Sequence, residues 1–500
     1  MEKKKFGGNL SRRSFIGNTA AAAAGFTILP SSVISGLGYT APSDKLNVAG
    51  VGIGGMGRRN LRAMSSENIV ALCDVDWKYS QKTFDDYPDA KKYWDYRKMF
   101  EEMGDSIDAV VIATADHAHA IIAAHAMELG KHVYVQKPLT LTVYESRLLT
   151  KLAQKNKVIT QMGNQGNSGE GIRKISEWIW DGQIGEVTNV HTWTNRPIWP
   201  QGLERPQEKM AVPDTLNWDL FLGPAPVRPY HSIYTPWNFR GWWDFGTGAL
   251  GDMACHIIDP VFKALKLEYP SKVQGSSTLI NTESAPVAEF AQYTFPEREA
   301  LEKVGMPEVT VQWWDGGLLP PRPEELPEGV QMGKDGGGGC LFEGTKGKLM
   351  CGVYARHPWI IGMDGEPQVP ETLRRIELSH EMDFVRACKE GYDTCKENDT
   401  LPSSNFDYAG PLNEMVVMGV NAVRLQDLKR ELEWDGKNME FTNISDSDTL
   451  KIVTSDDFEV IDGDPKFTTK YTDPINAKEF AQNLINKPYR EGWSLPPMPK

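Results

Sequence analysis

The chain has 500 residues, of which 40% are hydrophobic and 24% charged, with 54 lysines and arginines against 67 aspartates and glutamates. That length exceeds one compact core, so two substantial domains with appendages are expected, and the mixed composition excludes a collagen-like or wholly disordered chain. A formal net charge of −13 with no basic stripe lacks the electrostatic footprint of a nucleic-acid binder.

Residues 1–40 read as an export address. Three lysines lie within the first five residues, followed by Ser11-Arg12-Arg13-Ser14-Phe15-Ile16 and the small-residue apolar run from Ala20 to Pro30. Adjacent arginines before a mildly hydrophobic segment resemble a twin-arginine signal, which implies a periplasmic protein. The run is too short for a stable span, and no cysteine in the first 70 residues offers a lipid anchor, so no stable membrane anchor is expected. The six cysteines include no C-x-x-C pair and read as small buried hydrophobes.

From Lys45 the pattern alternates short apolar strands with helices: Leu46–Val51, a helix from Arg58 to Met64, Ile69–Cys73, Ala109–Ala113, a helix from Ala120 to Leu129, and His132–Val135. Such alternation predicts a doubly wound parallel sheet of Rossmann type over 44–163. Between Trp193 and Trp243 lie six of the 15 tryptophans, and alternating runs such as Thr310–Trp314 predict a mostly antiparallel open sheet in an α/β domain over 164–430. Gly336–Gly339 reads as a loop. Residues 431–500 are polar and acidic with a proline-rich end, and read as a surface-wrapping tail.

Four segments carry chemistry. Gly52-Ile53-Gly54-Gly55-Met56-Gly57 is G-x-G-x-x-G between a strand and a helix, and Asp74 ends the second strand 17 residues after Gly57. Glycines there allow a tight turn and close pyrophosphate approach at a helix N-terminus, while a carboxylate at Asp74 suits the adenine ribose. NAD is favoured over NADP because a carboxylate repels a 2′-phosphate, although Arg58 leaves NADP open. Thr114-Ala115-Asp116-His117-Ala118-His119 reads as a polar loop beside the cofactor at the end of a central strand. Its histidines lack a nearby acidic or thiol cluster, so no metal is expected. Gln136-Lys137-Pro138 ends another strand and points Lys137 into the same cleft. Gly248 to Asp259 places Asp252 and His256 one helical turn apart, as a carboxylate orienting an imidazole for general acid/base work.

Together these segments resemble the glucose–fructose oxidoreductase / inositol dehydrogenase / rhizopine-catabolism (Gfo/Idh/MocA) family over Lys45 to Arg424. The resemblance extends to Gly163-Asn164-Gln165, Leu216 to Pro224, Glu343 to Gly347 and Asp407 to Pro411. It implies that Lys137 matches the family's E-K-P lysine and that Asp252 and His256 match its D-x-x-x-H pair. Thr114, Asp116, His119, Gln136, Asn164 and Gln165, with Met56, are then expected beside the cofactor. Two departures stand out: Ala115 and Asp116 replace the usual proline and asparagine, and Gln136 replaces a common glutamate. The implied function is an NAD(P)-dependent oxidoreductase acting on a secondary carbinol of a sugar or polyol. Lys137, Asp252 and His256 would be catalytic, and Arg240 and Trp242 would contact substrate. The alternative is an NAD-dependent glycosidase working by transient oxidation, elimination, water addition and re-reduction. A non-enzymatic NAD-binding module is disfavoured by the intact Lys137, Asp252 and His256, and a homo-oligomer is expected.

Overall fold

Strand β1 (Asn47–Val51) is buried from Val48 onward and β4 (Ala109–Ile112) throughout, the near-continuous apolar pattern that a sheet covered on both faces demands. The computed structural model describes residues 44–333 and 337–500; the twin-arginine segment read in residues 1–40 lies outside them. With β2 (Asn68–Cys73), β3 (Lys91–Tyr93), β5 (His132–Val135) and β6 (Thr160–Met162), these strands form a parallel sheet in the order 3-2-1-4-5-6. The order reverses between β1 and β4, so the ligand crevice opens beyond their carboxyl ends. The first helix begins at Gly55 rather than Arg58. Likewise, the segment read as a polar loop is helical from Asp116, in the helix Asp116–Glu128. Gly54 and Ala115 are the extended residues that turn each strand directly into its helix.

The second sheet has nine strands: β7 (Val187–Thr194), β8 (Lys272–Ser277), β9 (Glu289–Phe295), β10 (Val309–Trp314), β11 (Gly338–Gly344), β12 (Lys348–Gly352), β13 (Trp359–Ile360), β14 (Leu432–Asp435) and β15 (Glu440–Phe441). Their order is 13-12-11-7-10-9-8-14-15, and the parallel pair β7–β10 is embedded among antiparallel ones. Alternating burial along β9 and β10 marks a sheet with one fully covered face. Gly338 and Gly339, read as loop, instead open β11; Gly339 lies so close to the Cys351 backbone, 2.3 Å from where a Cβ would sit, that only glycine fits the strand pairing.

The residues read as a tail do more than wrap. They add β14 and β15 to the edge of the large sheet, then a helix Ala477–Ile485, and only then run back over the first domain. There Tyr489 donates to Glu145 Oε1 at 2.6 Å, and Glu145 closes the capping box of the helix Val143–Asn156 with Thr142. The Arg97 guanidinium stacks on Trp493 at 4.5 Å.

The long helix Phe406–Arg424 packs against the helix Val143–Asn156, the helix Gly248–Ile257 and β8, joining both sheets. Its buried Asn413 accepts from Leu139 N at 2.9 Å and donates to Thr140 O, Thr140 Oγ1 and Ser146 Oγ at 3.2, 3.0 and 2.9 Å. One amide therefore fixes the chain that immediately follows Lys137. Asn413→Ala leaves the buried Leu139 N–H without an acceptor and is expected to destabilise by about 1–3 kcal/mol. Chemical denaturation checks this as a lower midpoint at unchanged slope; an unmoved midpoint would show the clamp contributes nothing.

Candidate active site

The glycine turn after β1 is built for close approach. Gly52 has φ +75°, and a Cβ there would stand 2.6 Å from the backbone of Ala113 and Thr114; one on Gly57 would stand 2.0 Å from Gly52 O. Asp74 Oδ2 accepts from Ile53 N at 2.8 Å and Gly54 N at 3.3 Å, and Oδ1 accepts from Asp76 N at 2.8 Å. The carboxylate expected on a ribose thus also shapes the turn. Burial raises its pKa, opposed by the backbone donors Asp76 N and Ile53 N. Tyr79 lies across Gly54, where a Cβ would come within 2.2 Å of its ring. Met56 and Thr114 line the cleft, but Arg58 does not: it is spent on Asp86 at 2.7 Å, and Arg59 faces the cleft instead.

The cleft between the two sheets holds about 1500 Å³. Single small-ligand pockets span roughly 300–1,000 Å³, so a dinucleotide and a second ligand fit together. A glycine cradle that any Cβ would fill, at the N-terminus of a helix and beside a buried carboxylate, suits a dinucleotide. Among the described residues, no group of three or more His, Cys, Asp or Glu is arranged to hold a metal ion.

His117 and His119, in the helix Asp116–Glu128, are held by backbone carbonyls. His119 sets its ring nitrogens 2.8 and 3.1 Å from Pro138 O and Thr114 O, and His117 sets Nε2 2.9 Å from Phe221 O. Burial pushes both down to about 4. His119 therefore braces the Lys137-Pro138 turn from behind and does not line the cleft. Asp116 does line it, accepting from Thr247 Oγ1 at 3.1 Å; burial pushes it up to about 7 against the pull of Arg240 and Lys137.

The Lys137 ammonium donates to Asp252 Oδ1 at 2.6 Å and to Asp252 O at 3.0 Å, while Arg240 Nε donates to the same Oδ1 at 2.7 Å. Burial opposes ionisation of Asp252, yet the two cations hold its carboxyl well below the usual range. The expected carboxylate–imidazole bond is not made, although Asp252 and His256 share a helix face. Two adjacent cations outcompete a neutral ring for the carboxylate oxygens. His256 is buried, its Nδ1 has no hydrogen-bond partner, and burial together with Lys137 pushes it down to about 3.

Other expected contacts divide cleanly. Gln165 lines the cleft with a partnerless Nε2, whereas Asn164 is fully buried and donates to Asp259 Oδ2 at 3.0 Å. Gln136 lines the cleft and donates to Asn60, which donates in turn to Glu381 Oε1 at 2.9 Å. Glu381 therefore brings a carboxylate near the position where Gln136 brings none. Trp242 is fully buried edge-on against Tyr234 in an aromatic cluster, so it cannot meet a substrate; Trp199 and Trp237 line the cleft. Arg240 stacks on Trp237 at 4.2 Å.

The loop after β12 has no counterpart among the expected site residues. Tyr354, Ala355 and His357 hold φ of +63°, +58° and +50° without being glycine. Each such residue costs about 1–2 kcal/mol, and this kind of strain gathers at functional sites. Gly166 and Gly171 make room for it: their Cβ atoms would stand 2.9 Å from Tyr354 Cα and 1.9 Å from Ala355 O. The Tyr354 ring lies 4.5 Å from that of His256.

Residues 46–164 match a family model described as the oxidoreductase family's NAD-binding Rossmann fold, and residues 175–294 match that family's C-terminal alpha/beta domain. Inositol 2-dehydrogenase of Salmonella typhimurium is 31% identical over 147 residues, covering 28% of this chain and 43% of that protein. A glycosyl hydrolase family 109 protein of Shewanella pealeana is 26% identical over 202 residues, covering 36% and 44%. The alignments with these two relatives thus span less than half of their length. The fold is shared with the WlbA dehydrogenase of Bordetella pertussis, solved with NADH and UDP-GlcNAcA (TM-score 0.52, 16% identity, 78% of this chain and 99% of that one). It is shared equally with an inositol dehydrogenase homologue of Azotobacter vinelandii, solved with NADH and myo-inositol (TM-score 0.50, 18% identity, 78% and 98%). With both halves of the family's architecture matched in order, this chain belongs to the Gfo/Idh/MocA oxidoreductase family.

Proposed function

We propose that the protein is an NAD-dependent oxidoreductase of a sugar, polyol or glycoside, acting on a secondary carbinol. The observation that carries this reading is the convergence of Lys137, Asp252 and His256 in the cleft that the glycine turn also lines. NAD, when bound, supplies the hydride acceptor. An ammonium has three donors, and Asp252 takes two of those on Lys137, leaving one to polarise the carbinol oxygen. His256, neutral and lining the cleft, takes the hydroxyl proton. Asp252 serves the lysine rather than the imidazole, fixing the ammonium while Arg240 balances its charge.

A redox-neutral variant is favoured by the similarity to the family 109 glycosyl hydrolase and by the twin-arginine reading of Arg12 and Arg13. In it the carbinol becomes a ketone, the adjacent C–H is acidified and lost as a proton, and the glycosidic C–O bond breaks. Water then adds and the ketone is reduced back to the alcohol. An exported enzyme working this way needs no free cofactor pool. Replacing Arg12 and Arg13 together by lysine should then retain the protein in the cytoplasm, as fractionation would show.

Gly54→Val drives a branched side chain into Tyr79 and the pyrophosphate path. Loss of co-purifying nucleotide with an unchanged circular dichroism spectrum is expected, and undiminished nucleotide would refute the cofactor site. Lys137→Ala and His256→Ala should each lower turnover about 10²–10⁴-fold while nucleotide is retained; wild-type rates in both would remove the assignment. In deuterated water the redox-neutral route labels the carbon beside the oxidised one and accumulates no NADH, whereas simple oxidation yields stoichiometric NADH.

The pH profile separates two cleft residues. His256 works deprotonated, and with its pKa pushed down to about 3 it stays so above pH ~4, so it contributes no acid limb near 6.5. A limb near 7 belongs to Asp116 and is expected to vanish in Asp116→Asn. Its persistence in that variant would return the titration to His256.

A further inference from the structure

The mouth of the cleft carries two arginines with no carboxylate partner among the described residues. Arg356 is exposed, its guanidinium 5.0 Å from the Tyr354 ring centroid; Arg196 is half-buried and its guanidinium donates to the amide oxygen of Asn195. Deeper in the cleft Lys137 and Arg240 share the Asp252 carboxylate, Lys174 at the rim pairs with Glu366 at 2.6 Å, and Arg59 lies apart, on the helix that follows the glycine turn.

Sheet register brings the two arginines to one place. Thr194 on β7 pairs with Gly338 on β11, and Gly339 pairs with Gly352 on β12. The segments that follow β7 and β12 therefore leave the sheet at the same end, two strand spacings or about 10 Å apart. Arg356 is held there by its carbonyl, which accepts from Gly352 N at 2.8 Å. From the buried end outward the order is His256, then Tyr354 against it, then Arg356 over Tyr354.

We propose that the substrate is a glycoside whose non-reacting unit carries an oxyanion, a carboxylate or a sulfate, gripped by Arg356 and Arg196 while the reacting sugar lies along Tyr354. This rests on the reading that His256 meets the reacting carbinol. The chain as a whole is acidic and repels anions at long range. Two guanidinium groups with no carboxylate partner among the described residues are a local exception at one opening, with the fork geometry that suits a planar or tetrahedral oxyanion. The strained backbone gains a purpose, since it sets Tyr354 against the reaction centre and turns Arg356 toward the opening.

The test uses the full-length, NAD-loaded protein and three glycosides with the same reacting sugar, whose second unit is a neutral hexose, a hexuronate or a 6-O-sulfohexose. Initial rates are measured, and binding is followed separately by tryptophan fluorescence without turnover. At low salt the charged glycosides should show KM and Kd at least tenfold below the neutral one, and whichever of the two does so identifies the oxyanion. Arg356→Gln should erase the preference, a change of about 10–100-fold, as should raising the ionic strength. An equal preference in wild type and Arg356→Gln, or equal binding of charged and neutral glycosides by wild type, would overturn the proposal. Arg356-dependent binding without turnover would support the recognition site while removing the proposed oxidation.

Discussion

Everything in the depth of the cleft depends on one buried carboxylate holding two cations. Asp252 Oδ1 accepts from both Lys137 and Arg240, and all three side chains are nearly inaccessible to solvent. A buried charge is tolerated only when paired and hydrogen-bonded, and removing one member strands the others. Lys137 arrives from the first domain on the end of β5, while Arg240 and Asp252 come from the second. The triad is therefore a tie between domains inside the cleft.

Around this tie the fold places rigid supports on each side. Asn413 holds the backbone just past Lys137, and His119 braces the same turn from behind through Pro138 O. Asp259 gathers Asn164, Asn167 and Tyr408 beneath the loop that carries Gln165. None of these groups needs to meet a ligand. Each fixes one that can, which is how a site on strand ends keeps its geometry without help from bound molecules.

Much of this was readable from residue order. Unbroken apolar runs specified a parallel sheet, because only strands buried on both faces need them, and the G-x-G-x-x-G turn with Asp74 fell where the strand order reverses. Lys137, Asp252, His256 and Arg240, singled out from strand ends, helical spacing and the family resemblance, all line the cleft. Other assignments failed for physical reasons. Arg58 and Arg59 are adjacent and alike, and only the helix azimuth sends one to Asp86 and the other to the cleft. Trp242 and Trp237 belong to one aromatic-rich stretch, and packing alone decided which was buried.

Local sequence also set the glycine turn and the alternation that leaves one face of the second sheet open, since each depends on the dihedrals and side chains of a few neighbouring residues. It could not decide which partner Asp252 would choose, because helical spacing offered His256 while the competing cations come from positions 115 residues before it and 12 residues before it. Nor could it reveal Tyr354 and Arg356, whose placement rests on Gly166 and Gly171 yielding space to a strained loop nearly 200 residues later. Spacing along a chain determines faces and turns; pairing energies between distant buried charges, and the room left by an absent Cβ, exist only once the domains have closed on each other.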